Sequence, residues 1–168
     1  MRYTPVAAAL SLVLAVTGSM GSARVGDPVD PRAQALIYDG RAALAQGDVN
    51  RATDSFEAAL AVDPGYIGTY LALGDAARRA GLQGKAIHYY REALERDPNN
   101  IGAISGEGAA MVEKGAIDKA RGNLARLQGL CGRACPETDQ LAATIARGPA
   151  PRVVSADTIK PQPVVESN

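Results

Sequence analysis

The sequence predicts an all-α fold: an α-solenoid of three stacked helix–turn–helix units, closed by a capping helix at its C-terminal end. The main observation is an internal repeat, because the stretch 33–66 returns as 67–100 and, more weakly, as 101–134. Within each of the first two copies a glycine separates two runs of helix-forming residues, and an Asp-Pro pair ends the second run. Units of two helices bury their apolar faces by stacking on one another, so the three copies predict one continuous core.

Matched residues fix the period of this repeat at 34 residues. The matched pairs are Gly40 and Gly74, Gly47 and Gly81, Ala52 and Ala86, Phe56 and Tyr90, Ala59 and Ala93, and the Asp-Pro pairs 63–64 and 97–98. This pattern of small, aromatic and proline residues resembles the tetratricopeptide repeat family over about residues 33–134. The resemblance implies a right-handed solenoid in which the first helix of each unit lines a concave face.

The helix boundaries follow from local signals taken in chain order. Asp30 and Pro31 start the first helix as cap and first-turn proline, and Gly47 stops it after residue 46. Asp48 caps the second helix, which ends before Pro64 because the residue preceding a proline resists the α conformation. The later units predict helices over 66–80, 83–96, 100–114 and 116–130, and the capping helix is predicted over 136–147.

Glycines inside the predicted first helices indicate close packing. Gly in a helix interior costs about 1 kcal/mol relative to Ala, yet glycine recurs there in all three units. We expect Gly40, Gly74 and Gly108 to contact Ala52, Ala86 and Ala120 of the partner helices. The aromatics Phe56 and Tyr90 are expected to fill the space between units.

The third copy departs from the pattern, as terminal units of solenoids commonly do. Leu124 and Leu127 replace the aromatic and small residues, and five glycines fall in its two helices. We therefore predict that backbone amides exchange faster over 101–130 than over 70–96.

The two ends of the sequence differ in composition from the repeats. Residues 1–23 combine Arg2, an apolar run over 6–16 and small residues before Arg24, as a secretory signal peptide does. The alternative is an uncleaved anchor, but the run is shorter than the roughly 20 residues that span a bilayer. The sequence therefore predicts export to the periplasm or beyond, a linker over 24–31, repeats over 32–134, a capping helix over 135–147 and a disordered tail over 148–168.

Charge and the inventory of reactive residues argue against catalysis. Lys and Arg balance Asp and Glu at 18 each, which gives no footprint for nucleic acid or for a membrane surface. His88 is the sole histidine, and no nucleophile constellation, phosphate-binding loop or zinc motif accompanies it. We expect no enzyme activity, no cofactor, no metal and no small-molecule substrate.

Cys131 and Cys135, the only cysteines, predict a structural disulfide between the last repeat helix and the capping helix. Free thiols, a metal site and a redox pair are the alternatives. Thioredoxin-like sites place two residues between their cysteines, whereas this pair has three.

The expected function follows from the concave face that the resemblance implies. Residues spaced by three and four along the first helices would line it, namely Ile37, Arg41, Leu44, Leu71, Asp75, Arg78, Arg79 and Val112. This mixture suits a peptide with apolar side chains and a carboxylate. Some members of the family clamp a C-terminal carboxylate at sites that here hold Ile37, Arg41, Ala72, Gly102 and Gly106, and of these only Arg41 could serve.

The sequence thus predicts a monomeric adaptor that binds a protein or peptide in the cell envelope. Two other functions stay open. One is a self-assembling structural protein whose units stack end to end, and the other is an accessory protein for thiol redox chemistry.

Overall fold

Seven helices make up the part of the chain that the computed structural model describes, residues 28–149. They are α1 Pro31–Ala45, α2 Val49–Val62, α3 Ile67–Arg79, α4 Gln83–Arg96, α5 Ile101–Lys114, α6 Ile117–Cys131 and α7 Pro136–Arg147. No strand occurs between residues 28 and 149. The all-α class is confirmed, and these helices begin and end within one residue of the predicted positions. The predictions of a signal peptide, of the linker up to residue 27 and of the tail from residue 150 lie outside the described residues.

Side-chain caps start both helices of unit one, and glycine turns connect the two helices in all three units. Asp30 and Asp48 accept hydrogen bonds from the backbone N–H groups of the first turns that follow them, at 2.8 and 3.1 Å. The turns between paired helices contain Gly47, Gly81 and Gly115 with φ of +81°, +73° and +90°. Residues with a Cβ rarely adopt this left-handed conformation, which explains why glycine recurs at the period of the repeat.

The contacts between helices define a curved stack of two layers. Each first helix packs on the next one, α1 on α3 and α3 on α5, whereas the backbones of α2, α4 and α6 do not approach one another closely within residues 28–149. The first helices therefore converge on the inner, concave side and the second helices diverge on the outer side. Helices α2 and α4 are linked through the side chains of Glu57 and Lys85. Helix α7 packs on α5 and α6 in the place where a further first helix would lie, and so caps the stack as predicted.

In units one and two the recurring glycines lie closest to aromatic rings, and the expected contact with alanine stays a prediction. A Cβ on Gly40 would lie 2.6 Å from Cδ1 of Phe56, and one on Gly74 would lie 2.6 Å from Cε1 of Tyr90. Ala52 is buried on the same face of α2, one turn before Phe56. The ring of Phe56 lies directly against Gly40.

In the third unit the helix glycine contacts the capping helix α7, where the first two units have an aromatic ring. A Cβ on Gly108 would lie 2.7 Å from Cδ2 of Leu141 in α7. Tyr90 also covers Gly106 of α5 and thus fills the space between units two and three, as predicted. In α6 only Ala120 and Leu127 are buried. The outer helix of the third unit is therefore less embedded in the core than α5, which buries eight residues.

The two cysteines flank the turn between α6 and α7. Cys131 ends α6, Cys135 precedes Pro136 of α7, and their Cα atoms lie 5.7 Å apart with the sulfur atoms in contact. This Cα separation is usual for a disulfide. Formation of the bond in the protein stays a prediction.

Candidate functional site

An open cleft of about 340 Å³ lies on the concave side between α3 and α5. Its walls are side chains of these two first helices alone: Asp75, Arg78 and Arg79 of α3 and Glu113 of α5. On α3 these residues are spaced by three and four positions and so share one face of the helix. The concave face therefore presents charged groups of both signs.

Arg78 is held in place by Glu113. Its Nη2 donates to Glu113 Oε1 at 2.6 Å, and its Nε donates to the same oxygen at 3.1 Å. Burial opposes the charge on Arg78, but the hydrogen-bonded carboxylate of Glu113 outweighs it and raises the pKa of the guanidinium. The pair joins unit two to unit three and gives Arg78 a defined orientation.

Asp75 is held in a similar way by the phenol of Tyr90. The Tyr90 hydroxyl donates to Asp75 Oδ1 at 2.6 Å. Burial, together with the nearby Asp75 carboxylate, raises the pKa of Tyr90, so the hydroxyl remains a protonated donor at neutral pH. The buried ring of α4 thus reaches the concave face and positions an acceptor there.

Arg79 makes an equivalent connection to unit one. Its Nη1 donates to the backbone carbonyl of Leu44 at 3.1 Å, near the end of α1. A cation at that place also interacts favourably with the helix dipole. The pairs Leu44–Arg79 and Arg78–Glu113 are both separated by 35 residues, which is one more than the repeat. The same place in successive units therefore provides both links.

Three of the residues predicted to line the concave face belong to the core. Ile37, Leu44 and Val112 are 4%, 8% and 1% exposed. They lie where one first helix meets its neighbours, so the next unit covers them. Leu71 is half-buried, with its side chain packed against two of the core clusters. These corrections leave Arg41, Asp75, Arg78 and Arg79 as the predicted residues whose polar groups reach the concave face.

Arg41 differs from the other two arginines. It is exposed, and no carboxylate among residues 28–149 forms an ion pair with it. Three residues earlier on the same helix lies Tyr38, which is 75% exposed. Sequence reasoning missed this tyrosine, although a large aromatic beside the predicted stripe was a signal that could have found it.

The described residues show no feature of a metal centre or of a membrane span. No group of three or more His, Cys, Asp and Glu side chains in residues 28–149 could hold a metal ion. His88 is exposed, as the sequence suggested, and its ring lies near Tyr89. No described helix has both the length and the apolar character that crossing a bilayer requires.

Solved structures resemble this fold over most of the chain. The first tetratricopeptide domain of Spaghetti (RPAP3), bound to an HSP90 peptide SRMEEVD, is 21% identical with a TM-score of 0.64, covering 73% of this chain and 97% of that one. The TPR2B domain of yeast Sti1, in a complex with Hsp70, is 18% identical with a TM-score of 0.64, covering 70% and 98%. The Yersinia enterocolitica chaperone SycD, in complex with a peptide of the translocator YopD, is 21% identical with a TM-score of 0.59, covering 68% and 86%. At these identities the likeness establishes the fold.

Sequence comparison gives one curated relative and a family. The relative is cellulose synthase 2 operon protein C of Komagataeibacter xylinus, 37% identical over 105 residues. The match spans 62% of this chain but only 7% of that protein's length. The model of the family described as protein kinase G tetratricopeptide repeat matches residues 24–146. The chain therefore belongs to the protein kinase G tetratricopeptide repeat family.

Proposed function

We propose that this chain is a non-enzymatic protein-interaction module that binds a peptide segment of a partner protein on its concave face. The observation that carries the proposal is the cleft between α3 and α5, whose charged groups are held by Tyr90 and Glu113 before any partner arrives. Groups oriented in advance lose little conformational freedom on binding. The peptides bound to the similar tetratricopeptide domains support the same mode of use.

The exposed side chains indicate which peptide would fit. Arg41 offers a cation that no described carboxylate neutralises, and Tyr38 offers an aromatic ring one turn away. Farther along the face, Asp75 offers an acceptor. The preferred segment would place a carboxylate on Arg41, an apolar side chain on Tyr38 and a donor near Asp75. A C-terminal carboxylate clamp is not part of this proposal, because the places that such a clamp uses hold Ile37, Ala72, Gly102 and Gly106 besides Arg41.

We place this activity in the cell envelope, with the protein a monomer that serves as an adaptor there. The composition of residues 1–23 and the close cysteine pair support export, because disulfides persist in oxidising compartments. The relative from a cellulose synthase operon makes a cellulose synthase assembly one candidate setting. The partner within any such assembly is to be found by experiment.

The test is crosslinking and affinity capture in cells with a charge reversal on the concave face. Arg41→Glu should lose the captured partner, because it puts a carboxylate opposite the partner's own. Arg51→Glu is the matched control, since Arg51 is also exposed but lies on α2 of the outer layer. Arg78→Glu is unsuitable, because it would set three carboxylates together with Asp75 and Glu113 and so perturb folding.

The outcomes separate the proposal from its alternatives. Loss in Arg41→Glu with retention in Arg51→Glu supports binding on the concave face. Equal capture by both variants and the unaltered protein would place the contact elsewhere and overturn the proposal. Capture of the chain itself alone, with an apparent mass that rises with concentration in light scattering, would favour the self-assembling protein. Loss of function in Cys131→Ser/Cys135→Ser without loss of fold would favour redox chemistry.

A further inference from the structure

The outer face carries two equivalent clefts one unit apart. The first has a volume of about 250 Å³ and lies among α2, α3 and α4, and the second has about 340 Å³ and lies among α4, α5 and α6. Equivalent lining positions, 34 residues apart, are Thr53 and Ile87, Ala77 and Met111, Ala80 and Lys114, Leu82 and Ala116, and Lys85 and Lys119. The same cleft therefore occurs at equivalent positions of two successive units, with different side chains lining it.

The first cleft carries no excess of positive charge. Its lysine, Lys85, contacts the carboxylate of Glu57 at 3.3 Å and lies over the ring of Tyr89. Asp54 adds a second carboxylate to its wall. The lysine of this cleft is already partnered and Asp54 is negative, so the cleft offers no free positive charge to an acidic ligand.

The second cleft carries an excess of positive charge. Lys114 and Lys119 are exposed, and no carboxylate among residues 28–149 forms an ion pair with either. The two carboxylates near the first cleft have no acidic counterparts in unit two. His88 stands at the position equivalent to Asp54, and Arg91 stands at the position equivalent to Glu57. Arg91 lines the cleft, and its Nε donates to Glu107 at 2.8 Å. The two lysines are thus concentrated local charge in a chain whose formal net charge is zero.

The floor of the second cleft is apolar. Ile87 and Met111 are 9% and 5% exposed and belong to the core cluster between units two and three. Methionine adapts readily to the shape of a bound side chain. An apolar floor under a rim of lysines suits a segment that carries an aliphatic residue between carboxylates.

We propose that this cleft, formed by Ile87, Arg91, Met111, Lys114, Ala116 and Lys119, docks an acidic segment of a partner protein. An aliphatic side chain of the segment lies on Ile87 and Met111, and its carboxylates pair with Lys114 and Lys119. Because α4 and α6 belong to the outer layer, this surface is separate from the concave face and does not depend on the function proposed for it. A chain with both surfaces can hold two partners together.

The experiment uses a fluorescein-labelled peptide in which glutamates flank a central leucine, titrated into the isotopically labelled full chain. Binding should shift amide resonances of residues 111–119 and should weaken as salt is added. Lys114→Gln/Lys119→Gln should reduce the affinity roughly tenfold, because each exposed charge pair contributes up to about 1 kcal/mol. Glutamine removes the charge but stays polar and is only slightly shorter than lysine, and both sites are exposed, so the fold should not be perturbed.

Matched controls come from the first cleft and from the concave face. Lys85→Gln and Arg41→Gln should leave the affinity within about twofold of the unaltered protein. A peptide with glutamine in place of glutamate should bind at least tenfold more weakly, and inorganic phosphate should not displace the acidic peptide. Absence of binding, shifts confined to other helices, equal loss in Lys85→Gln or displacement by phosphate would each overturn the proposal.

Discussion

A methyl group added at Gly40 should destabilise the protein, even though alanine is the better helix former. The new Cβ would lie 2.6 Å from Cδ1 and 3.0 Å from Cζ of Phe56. Carbon atoms in packed interiors normally approach to about 3.5–4.0 Å, so the overlap with the ring is close to 1 Å. Phe56 is fully buried and has no solvent into which it can move. The ring or the backbone of α1 must therefore shift.

The magnitude follows from two opposing effects. Overpacking a core costs typically about 1–3 kcal/mol, whereas replacing glycine by alanine in a helix contributes about 1 kcal/mol. Because the overlap is about 1 Å and Phe56 is fully buried, the overpacking cost should lie in the upper part of this range, about 2–3 kcal/mol. We therefore expect Gly40→Ala to lower the free energy of unfolding by roughly 1–2 kcal/mol. Gly122→Ala is the matched control in the interior of α6, where a Cβ would have nothing within 4 Å. It should raise the free energy of unfolding by about 0.5–1 kcal/mol.

Equilibrium denaturation by urea would measure both variants together with Phe56→Leu. If the clash with the ring is the cause, Phe56→Leu should cost less in the Gly40→Ala background than alone, with a coupling energy of about 1 kcal/mol. Gly40→Ala as stable as the unaltered protein would refute the reasoning. Additive effects of the two substitutions would also refute it, because the destabilisation would then come from another contact.

Three further predictions concern stability and dynamics. Thr69→Val should raise the free energy of unfolding by about 1 kcal/mol, because the Thr69 hydroxyl is fully buried without a hydrogen-bond partner among the described residues; in thermal unfolding Thr69→Ser should show no such gain. Hydrogen exchange should be faster over 101–130 than over 70–96, most of all in α6 with its two buried residues, and uniform protection would contradict this. Intact-mass measurement should show Cys131 and Cys135 joined in a disulfide. Reducing this disulfide should lower the free energy of unfolding by about 2 kcal/mol, because the unfolded chain regains the entropy of the closed loop. An unchanged urea midpoint on reduction would contradict a stabilising role for the disulfide.

The period of the repeat made the helices predictable, because turns and caps depend on residues close in sequence. Gly47 and Asp48 fix the end of one helix and the start of the next without help from the rest of the chain. Tertiary contacts depend on the angle at which each unit packs against the next. The length of the repeat does not determine that angle, so it cannot be read from the sequence. Ile37 and Leu44 were therefore placed on the wrong side of the boundary between the core and the concave face.

The partners of the charged residues show the same limit. Arg78 and Glu113 are separated by one residue more than the repeat, so aligning the copies does not place them opposite each other. The contact between Gly40 and Phe56 escaped prediction for a related reason. Ala52 and Phe56 share a face of α2, and the repeat pattern alone does not show that the ring of Phe56 lies closest to Gly40.

The two links of equal spacing also restrict where a partner can gain binding energy on the concave face. A ligand carboxylate that approached Arg78 would have to displace Glu113, and one that approached Arg79 would have to compete with the carbonyl of Leu44. Either exchange weakens a connection between units, so the net gain is small. Among the described residues, Arg41 and Tyr38 form no hydrogen bond that links one unit to the next. Specificity on this face should therefore reside mainly in Arg41 and Tyr38 of unit one, with Asp75 of unit two as a further acceptor. The linked arginines of unit two and Glu113 of unit three supply a rigid and correctly curved support.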